Sequence, residues 1–409
     1  MKKNQIIKDL MNQYDRSFYL YDEIVIEEQI DKLKKNFPDF EFLYSVKANP
    51  YNPVVNFIKE KGFGMDAASE EEVHISERLG LEKEKILYST PGKTKKNIEN
   101  TIDKAIIIAD SYNELKIIDE VARENNEKVK VGLRINISPV NSEIPMSSKF
   151  GVDAIGLLDN KDLFESLTNI EIAGIHVHLR SQILDYEILY RYYEKVFNTA
   201  VFCMDILGWN IEFINFGGGL GIVYSEENDT PLDMEKLQNK CSKLVRQYKQ
   251  KLNARFIIET GRFITCYSGT YVTKVVDIKE SMGIKYIVVE KGLNGFMRPS
   301  IAELLMDYSG RENLKASEPL FTAVDAFDFN ILDKDKNFEK VNLVGSLCTA
   351  TDVMAKGIEL PKAEIGDIVT VSKAGSYAYS LSPVLFASHP MPLQIYLTKD
   401  EDLIIEELI

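Results

Sequence analysis

The chain has 409 residues, 45% of them hydrophobic, which predicts two domains because single cores rarely grow beyond roughly 250–300 residues. Its formal net charge of −14, without a block of lysines and arginines, argues against a nucleic-acid partner. No apolar run approaches the ~20 residues of a membrane span, and no secretion signal precedes the first strand, so we expect a cytoplasmic protein without membrane contact. The cysteines follow no metal-like spacing and are expected to be reduced thiols, with no metal site; they are Cys203, Cys241, Cys266 and Cys348.

The N-terminal segment, residues 1–37, has the pattern of a short amphipathic helix that leads into a strand. We expect this segment to pack with the C-terminal part of the chain. Residues 38–270 then alternate short apolar β runs with helical patterns. Runs that are apolar on both faces, separated by amphipathic helices, indicate a parallel sheet with helical crossovers. The predicted strands cover 41–46, 63–67, 86–90, 105–109, 129–136, 172–179, 212–216 and 255–259.

Eight such units place the protein in the α/β class and predict a (β/α)8 TIM barrel for residues 38–270. After about residue 270, β runs follow one another with few helices between them. This predicts a mostly antiparallel β domain, sandwich-like or barrel-like, over residues 271–409, with a short helical insertion at 296–309. No Gly/Ser-rich linker marks the boundary, so we expect the two domains to pack firmly.

Polar or glycine residues end six of the eight predicted strands. In a barrel of this kind chemistry gathers at the carboxyl ends of the strands, so these residues would converge on one face. They are Lys47, Asp66, Arg134 with Asn136, His178, Gly217 to Gly219, and Glu259 to Arg262.

Lys47 follows the apolar run 42–46 and precedes Asn49 and Pro50. Desolvation at a buried strand end lowers the pKa of a lysine, and a neutral amine can form a Schiff base with a carbonyl. The alternative is an ordinary lysine at a strand end.

The run Gly217-Gly218-Gly219 forms a glycine-rich turn after a strand. Such turns expose backbone N–H groups to a phosphate, although the spacing is not that of a dinucleotide fold. A tight turn with positive φ is the alternative. Arg262 offers a fork-shaped donor for the same phosphate, and Ser181 adds a hydroxyl.

Glu259 ends an apolar run, and a buried carboxylate there needs a partner. Either Arg262 is that partner, or the carboxylate faces a pyridine nitrogen. His178 would then stack on the ring, or it is a satisfied histidine near the core. His176 should point to the same face because side chains alternate along a strand. Together these groups match what pyridoxal 5′-phosphate requires.

The chain resembles the pyridoxal-phosphate decarboxylases of the ornithine/diaminopimelate type, which are fold-type III enzymes with the barrel of alanine racemase. Six motifs carry the resemblance, in the order of the family and across both predicted domains. They are YSVKANP at Lys47, HVHLRSQ at His178, NFGGGLG at 215–221, ETGR at 259–262, GSLCTATD at Cys348 and AGSYAYS at Tyr377.

The resemblance implies a pyridoxal-phosphate enzyme that works as a homodimer with shared active sites. It implies that Lys47 forms the Schiff base with the cofactor, that His178 stacks on the cofactor ring and that Glu259 binds the pyridinium nitrogen. Cys348 would come from the partner subunit and would supply or position a proton. The remaining residues that the family implies around the cofactor are Asp66 and Arg134 near the ring, and Gly217, Gly218, Gly219, Gly261, Arg262, Tyr377 and Ser181 near the phosphate.

Several positions depart from the family and concern the substrate. Arg180 replaces the usual glycine, and it either binds an acidic group of the substrate or extends into solvent. Arg298 is kept in a segment that resembles the distal-end binding segment of the diaminopimelate enzymes, but Ala302 replaces the usual tyrosine. Thr349 stands where those enzymes carry a glutamate. The candidate substrate-binding residues are Arg180, Arg298, Thr349 and Asp352.

These departures argue against diaminopimelate itself as the substrate. Residues 376–397 resemble the branch in specialised metabolism that includes the butirosin-pathway decarboxylase of a carrier-bound glutamyl group. We therefore predict decarboxylation of an amino acid in a biosynthetic pathway, with an amino acid that is acidic or bound to a carrier protein as the substrate. The alternatives are a diaminopimelate decarboxylase of lysine biosynthesis, a racemase or epimerase, and a non-catalytic homologue that binds pyridoxal phosphate. Glu259 argues against the racemase, because an enzyme resembling alanine racemase would place an arginine there.

Overall fold

A computed structural model describes residues 2–137, 147–309 and 323–406. Its strands are β1 (Phe18–Asp22), β2 (Glu41–Ser45), β3 (Gly64–Ala67), β4 (Ile86–Tyr88), β5 (Ile106–Ala109), β6 (Val129–Asn136), β7 (Val152–Asp153), β8 (Ile170–His176), β9 (Phe213–Asn215), β10 (Arg255–Thr260), β11 (Gly269–Ser281), β12 (Ile284–Val289), β13 (Phe329–Ile331), β14 (Phe338–Val344), β15 (Val353–Pro361), β16 (Ile368–Val371), β17 (Leu393–Leu397) and β18 (Leu403–Ile405). Its α-helices are α1 (Lys2–Tyr14), α2 (Glu23–Asn36), α3 (Asn52–Glu60), α4 (Glu70–Arg78), α5 (Lys95–Thr101), α6 (Tyr112–Glu124), α7 (Lys161–Ser166), α8 (Tyr186–Leu207), α9 (Met234–Lys249), α10 (Arg262–Thr265) and α11 (Met297–Ser309).

Eight parallel strands form a closed barrel in the order β2, β3, β4, β5, β6, β8, β9 and β10, and β10 pairs back to β2. This confirms the predicted (β/α)8 barrel. Strand β2 lies between β3 and β10, with Ser45 opposite Asp66 and Leu43 opposite Glu259. Because all eight strands run in one direction, their polar carboxyl ends meet on the same face.

The barrel interior is filled by apolar side chains from five strands. Phe213 occupies the space beside two glycines, Gly132 on β6 and Gly174 on β8. A Cβ atom on Gly174 would lie only 2.3 Å from the Phe213 ring. The interior cluster consists of Leu43, Leu87, Ile106, Ile108, Phe213 and Ile257.

The second sheet is mostly antiparallel, as predicted, and nine strands belong to it among the residues that the structure describes. Strand β1 lies in its middle, antiparallel to β11 and parallel to β17. A second parallel pair joins β12 and β14. The predicted helical insertion at 296–309 corresponds to α11.

The N-terminal segment divides between the two sheets. Helix α1 buries Ile7 and Leu10 against Phe18 of β1 and the second sheet. Helix α2, in contrast, packs on the barrel against α3, α9 and α10. The domain limits at residues 37 and 270 stay predictions. Among helices in the described ranges, none has both the length and the apolar character that crossing a bilayer demands.

We predict that Gly174→Ala destabilises the barrel by about 1–3 kcal/mol, because the added methyl group overlaps the Phe213 ring. Urea unfolding measures the change. Gly156→Ala is the matched control, since its Cβ would meet only the Tyr112 hydroxyl at 3.7 Å. Equal unfolding midpoints for the two variants would contradict the prediction.

Candidate active site

A cavity of about 300 Å³ opens at the carboxyl ends of the barrel strands, at the lower end of the range for ligand pockets. The structure brings most of the predicted cofactor residues to its wall. These are Lys47, Arg134, His178, Ser181, Gly218, Gly219, Glu259, Gly261, Arg262 and Tyr377. Asp66 lies beneath the wall as a fully buried carboxylate.

Lys47 lies in a short 3-10 turn, Val46–Ala48, which directly follows β2. Its Nζ is 3.5 Å from Oδ2 of Asp66, which also accepts a hydrogen bond of 2.9 Å from Ser45 Oγ. Ser89 Oγ donates to the other carboxylate oxygen. The charge of Asp66 raises the pKa of Lys47 and outweighs burial, which lowers it. The expectation that desolvation favours a neutral amine is therefore wrong for this structure, because Asp66 stabilises the ammonium.

Glu259 is buried at the end of β10 and accepts a hydrogen bond of 2.7 Å from Asn215 Nδ2. His176 Nε2 lies 3.3 Å from the same oxygen, Oε1, without hydrogen-bond alignment. Burial alone would raise the pKa of Glu259, but His176 and Lys47 together hold this pKa below its usual range. Arg262, the partner that the sequence suggested as one alternative for Glu259, binds Tyr224 instead. The hydrogen-bond partner of Glu259 is Asn215.

His178 is half-buried at the cavity wall, and its Nδ1 accepts a hydrogen bond of 3.2 Å from the backbone N–H of Gly218. Burial lowers the pKa of His178 to about 3, although Glu259 acts in the opposite direction. The imidazole is therefore neutral near pH 7, and a neutral flat ring suits stacking on another ring.

The glycine turn, Gly217 to Gly219, forms a concave backbone surface, called here the cradle, which a Cβ atom at Gly217 or Gly219 would obstruct. Gly217 and Gly219 have φ values of 65° and 130°, in the left-handed region. A Cβ on Gly217 would lie 2.4 Å from the Val177 carbonyl oxygen, and one on Gly219 would lie 2.8 Å from that of Arg180. Only glycine therefore fits at these two positions, which leaves the backbone open to a ligand.

Arg262 supplies a positive charge beside this turn. Its Nη1 donates a hydrogen bond of 2.7 Å to the Tyr224 hydroxyl, and its guanidinium lies 5.0 Å from the ring centre of Tyr377. Nη2 is buried and has no hydrogen-bond partner within the described part of the chain. A buried guanidinium N–H without a partner is suited to an anion. The cradle and this N–H fit the phosphate of pyridoxal phosphate.

The four candidate substrate residues are dispersed. Arg180 is exposed and lines a second hollow of about 660 Å³ that shares Gln182 with the cavity. The side chain thus extends toward solvent, one of its two predicted alternatives. Thr349 Oγ1 lies 2.9 Å from Thr351 Oγ1. Substrate contact by either residue stays a prediction.

Arg298 and Asp352, the other two candidates, bind other segments of this chain. Arg298 is fully buried and binds the Tyr224 hydroxyl at 3.1 Å and the Ser376 carbonyl at 3.3 Å. Asp352 accepts backbone hydrogen bonds from Leu293 and Leu347, at 2.6 Å and 2.8 Å. Both Nη atoms of Arg298 and both carboxylate oxygens of Asp352 thus bind neighbouring segments of this chain, while Arg298 Nε has no partner among the described residues. Substrate contact by these two residues stays a prediction.

Cys348 is exposed and does not line the cavity within the described residues of the single chain. Its predicted role belongs to the site of a partner subunit, and it stays a prediction.

Sequence analysis missed several polar residues whose side chains form hydrogen bonds with the predicted site residues. Ser45 and Ser89 fix Asp66, Asn215 fixes Glu259, and Tyr224 joins Arg262 to Arg298. These contacts join distant segments, so local patterns carry little signal for them.

Glu72 was also missed. It accepts a hydrogen bond of 2.6 Å from Ala68 N, and burial raises its pKa to about 7 in the neighbourhood of Asp66 and Lys47. The spacing Ser69-x-x-Glu72 at the start of α4 is a capping-box pattern that could have indicated it.

An amine, an anion cradle and an ionised acid that share one cavity satisfy the needs of pyridoxal 5′-phosphate. Fold and site thus define a pyridoxal-phosphate enzyme of the barrel type. Residues 24–266 match the family model described as "Pyridoxal-dependent decarboxylase, pyridoxal binding domain", and the chain belongs to this family.

Two relatives match nearly the whole chain. The diaminopimelate decarboxylase of Aquifex aeolicus is 29% identical over 92% of this chain and 85% of its own length. The L-glutamyl-(BtrI acyl-carrier protein) decarboxylase of Niallia circulans is 29% identical over 95% of this chain and 90% of its own length. The protein is accordingly a pyridoxal-phosphate-dependent decarboxylase, as the resemblance implied.

A solved structure has the same fold. The crystal structure of diaminopimelate decarboxylase from Helicobacter pylori complexed with L-lysine superposes with a TM-score of 0.81 at 24% identity, over 97% of this chain and 95% of that one.

We predict that His178 makes the cofactor-free protein less stable in acid. The pKa of a free imidazole is about 6.5, whereas that of folded His178 is about 3, so the unfolded chain binds more protons between these values. Stability therefore falls as the pH drops through this window, by about 1–2 kcal/mol between pH 7 and pH 5.

Urea unfolding of His178→Gln at both pH values measures this contribution, because the variant should lack it. His74→Gln, on helix α4, is the matched control and should keep the loss of the unmodified protein. The prediction is wrong if His178→Gln and the unmodified protein lose equal stability.

Proposed function

We propose that this decarboxylase removes the α-carboxylate of an amino acid whose distal end is acidic or attached to a carrier protein, in a biosynthetic pathway. The observation that carries the proposal is the cavity in which Lys47, an ionised Glu259 and the unpartnered Nη2 of Arg262 lie together. The substrate class is supported by the departures at Ala302 and Thr349 and by the equal identity of the carrier-protein and diaminopimelate relatives.

Bound pyridoxal phosphate supplies an electron sink for the electrons that remain when CO2 leaves. The residues of the chain orient that group and control protons around it. Arg262 and the glycine turn would hold the phosphate, and His178 would cover one face of the ring. Glu259, kept ionised, would hold a proton on the ring nitrogen.

Lys47 starts as an ammonium beside Asp66 and must lose a proton before its nitrogen can bond to carbon. Asp66 has no freedom to turn away, because Ser45 and Ser89 bind its two oxygens. The same carboxylate would therefore return the lysine to one position after each turnover.

Cys348 would complete the site of the partner subunit in a homodimer. The proposal is supported by its exposure and by its position outside the cavity lining among the described residues of its own chain. A screen for dimerisation by sedimentation, together with mixed dimers of Lys47→Ala and Cys348→Ala chains, tests it directly. Recovery of activity in the mixed dimer is expected only if sites are shared.

Diaminopimelate decarboxylation is the second candidate. It is supported by Arg298, which the chain retains from the diaminopimelate motif, and by the printed names of several relatives. Racemisation is disfavoured by the ionised Glu259, and a non-catalytic role by the retention of Lys47 and Glu259 in one cavity.

We predict that Lys47→Ala abolishes the absorbance of the lysine-bound cofactor and all CO2 release, because the variant has no amine next to Asp66. Absorbance spectra of the purified proteins measure this effect. Lys85→Ala, which removes an exposed lysine beside Glu41, should leave the spectrum unchanged. An unaltered spectrum in Lys47→Ala would refute the proposed role of Lys47.

The substrate class is tested by measuring CO2 release from lysine, ornithine, both glutamate enantiomers, meso-diaminopimelate and carrier-tethered glutamate. We expect release from an acidic or tethered substrate and little from meso-diaminopimelate. Thr349→Glu should raise the ratio of diaminopimelate to glutamyl turnover, because it restores a carboxylate for a distal amine. Thr351→Glu, two residues away, is the control. Preferred turnover of meso-diaminopimelate by the unmodified enzyme would establish the second candidate instead.

A further inference from the structure

Asn215, the last residue of β9, is fully buried and bonded at both ends of its side chain. Its Nδ2 donates a hydrogen bond of 2.7 Å to Glu259 Oε1. Its Oδ1 accepts one of 2.8 Å from the backbone N–H of Gly217, the first glycine of the cradle. One side chain thus joins the acid to the first glycine of the cradle.

The backbone closes this connection into a ring. The N–H of Glu259 donates a hydrogen bond of 3.0 Å to the Gly217 carbonyl oxygen. Glu259, Asn215 and Gly217 are therefore linked through two side-chain bonds and one main-chain bond. A displacement of the Glu259 carboxylate requires that at least one of these bonds breaks.

The orientation of the Asn215 amide is fixed by chemistry. A backbone N–H can only donate, so the oxygen of the amide must face Gly217. The nitrogen consequently faces Glu259, and an amide nitrogen also only donates. The arrangement requires an acceptor at Oε1, and an ionised carboxylate is the stronger one.

We propose that Asn215 is a positioning residue that holds Glu259 aimed into the cavity as an ionised acceptor and fixes the first glycine of the phosphate cradle at the same time. This inference rests on the proposed function only in that Glu259 and the cradle serve the cofactor. Asn215 itself does not line the cavity among the described residues, so it acts through its two partners.

The chain offers a matched control for a merely structural role. Asn97, at the start of α5, makes the same two kinds of bond, donating to the Glu70 carboxylate at 2.7 Å and accepting from Thr94 N at 3.0 Å. Neither Asn97 nor its two partners line the cavity among the described residues. Asn215→Ala and Asn97→Ala therefore remove similar bonds, but only the first one removes a bond to a group that we assign to the cofactor.

The test compares the dissociation constant of pyridoxal phosphate and the pH dependence of the absorbance of the bound cofactor in these variants. We expect Asn215→Ala to bind pyridoxal phosphate about tenfold more weakly, since a hydrogen bond to a charged group is lost. We also expect its absorbance transition to move to lower pH, because Glu259 holds the ring proton less firmly. In Asn97→Ala neither quantity should change, because its two bonds lie away from the cavity.

Asn215→Asp should shift the absorbance transition in the opposite direction. It also allows the test if the alanine variant does not fold. It keeps an acceptor for Gly217 but presents a second carboxylate to Glu259, so the absorbance transition should move to higher pH. The titratable groups around Glu259 are His176, His178 and Lys47, and these substitutions leave all three in place.

Equal losses of affinity in Asn215→Ala and Asn97→Ala, with no shift of the transition in either Asn215 variant, would make Asn215 structural only. The measurements use the cofactor and no substrate, so an error in the proposed substrate class leaves their outcome unaffected.

Discussion

Closure of the barrel brings two buried carboxylates to either side of strand β2, and neither could remain charged there without partners. Asp66, on β3, is compensated by Lys47 and two serine hydroxyls. Glu259, on β10, is compensated by Asn215, His176 and Lys47. The lysine that follows β2 is thus placed between two acids by the order of the strands alone. The remaining features of the site, from the neutral His178 to the glycine cradle, are arranged around this pair.

The barrel could be predicted from the sequence because buried parallel strands are apolar on both faces, and the polar residues at their ends were equally visible. The ionisation state of Lys47, in contrast, could not be predicted from the sequence. It depends on the register that puts Ser45 opposite Asp66, and register between strands that are distant in the chain leaves no local pattern. Desolvation does lower the pKa of Lys47, but the charge of Asp66 raises this pKa by more.

The same reason applies to the surroundings of Glu259, for which the sequence left two alternatives open. Arg262, one of them, lies three residues away in sequence, but it binds Tyr224, and Asn215 donates to Glu259 from the neighbouring strand. Arg298 and Asp352 were candidates because their motifs concern the substrate. Their burial among backbone groups of the second sheet region could be known only from the packing of segments far apart in the chain. The predicted role of Cys348 concerns a partner subunit, so a single chain leaves it a prediction.

The turn that carries Lys47 is bound to the second sheet region as well as to the barrel. The backbone N–H of Tyr377 donates to Ala48 O at 2.8 Å, and Asn49 binds the Gly375 carbonyl. The turn of Lys47 is thus supported on one side by each half of the molecule. A barrel produced without the second sheet region would keep every strand-end residue but would lose these contacts to the turn. Recombination that exchanges one half must therefore preserve the contacts at residues 48 and 49.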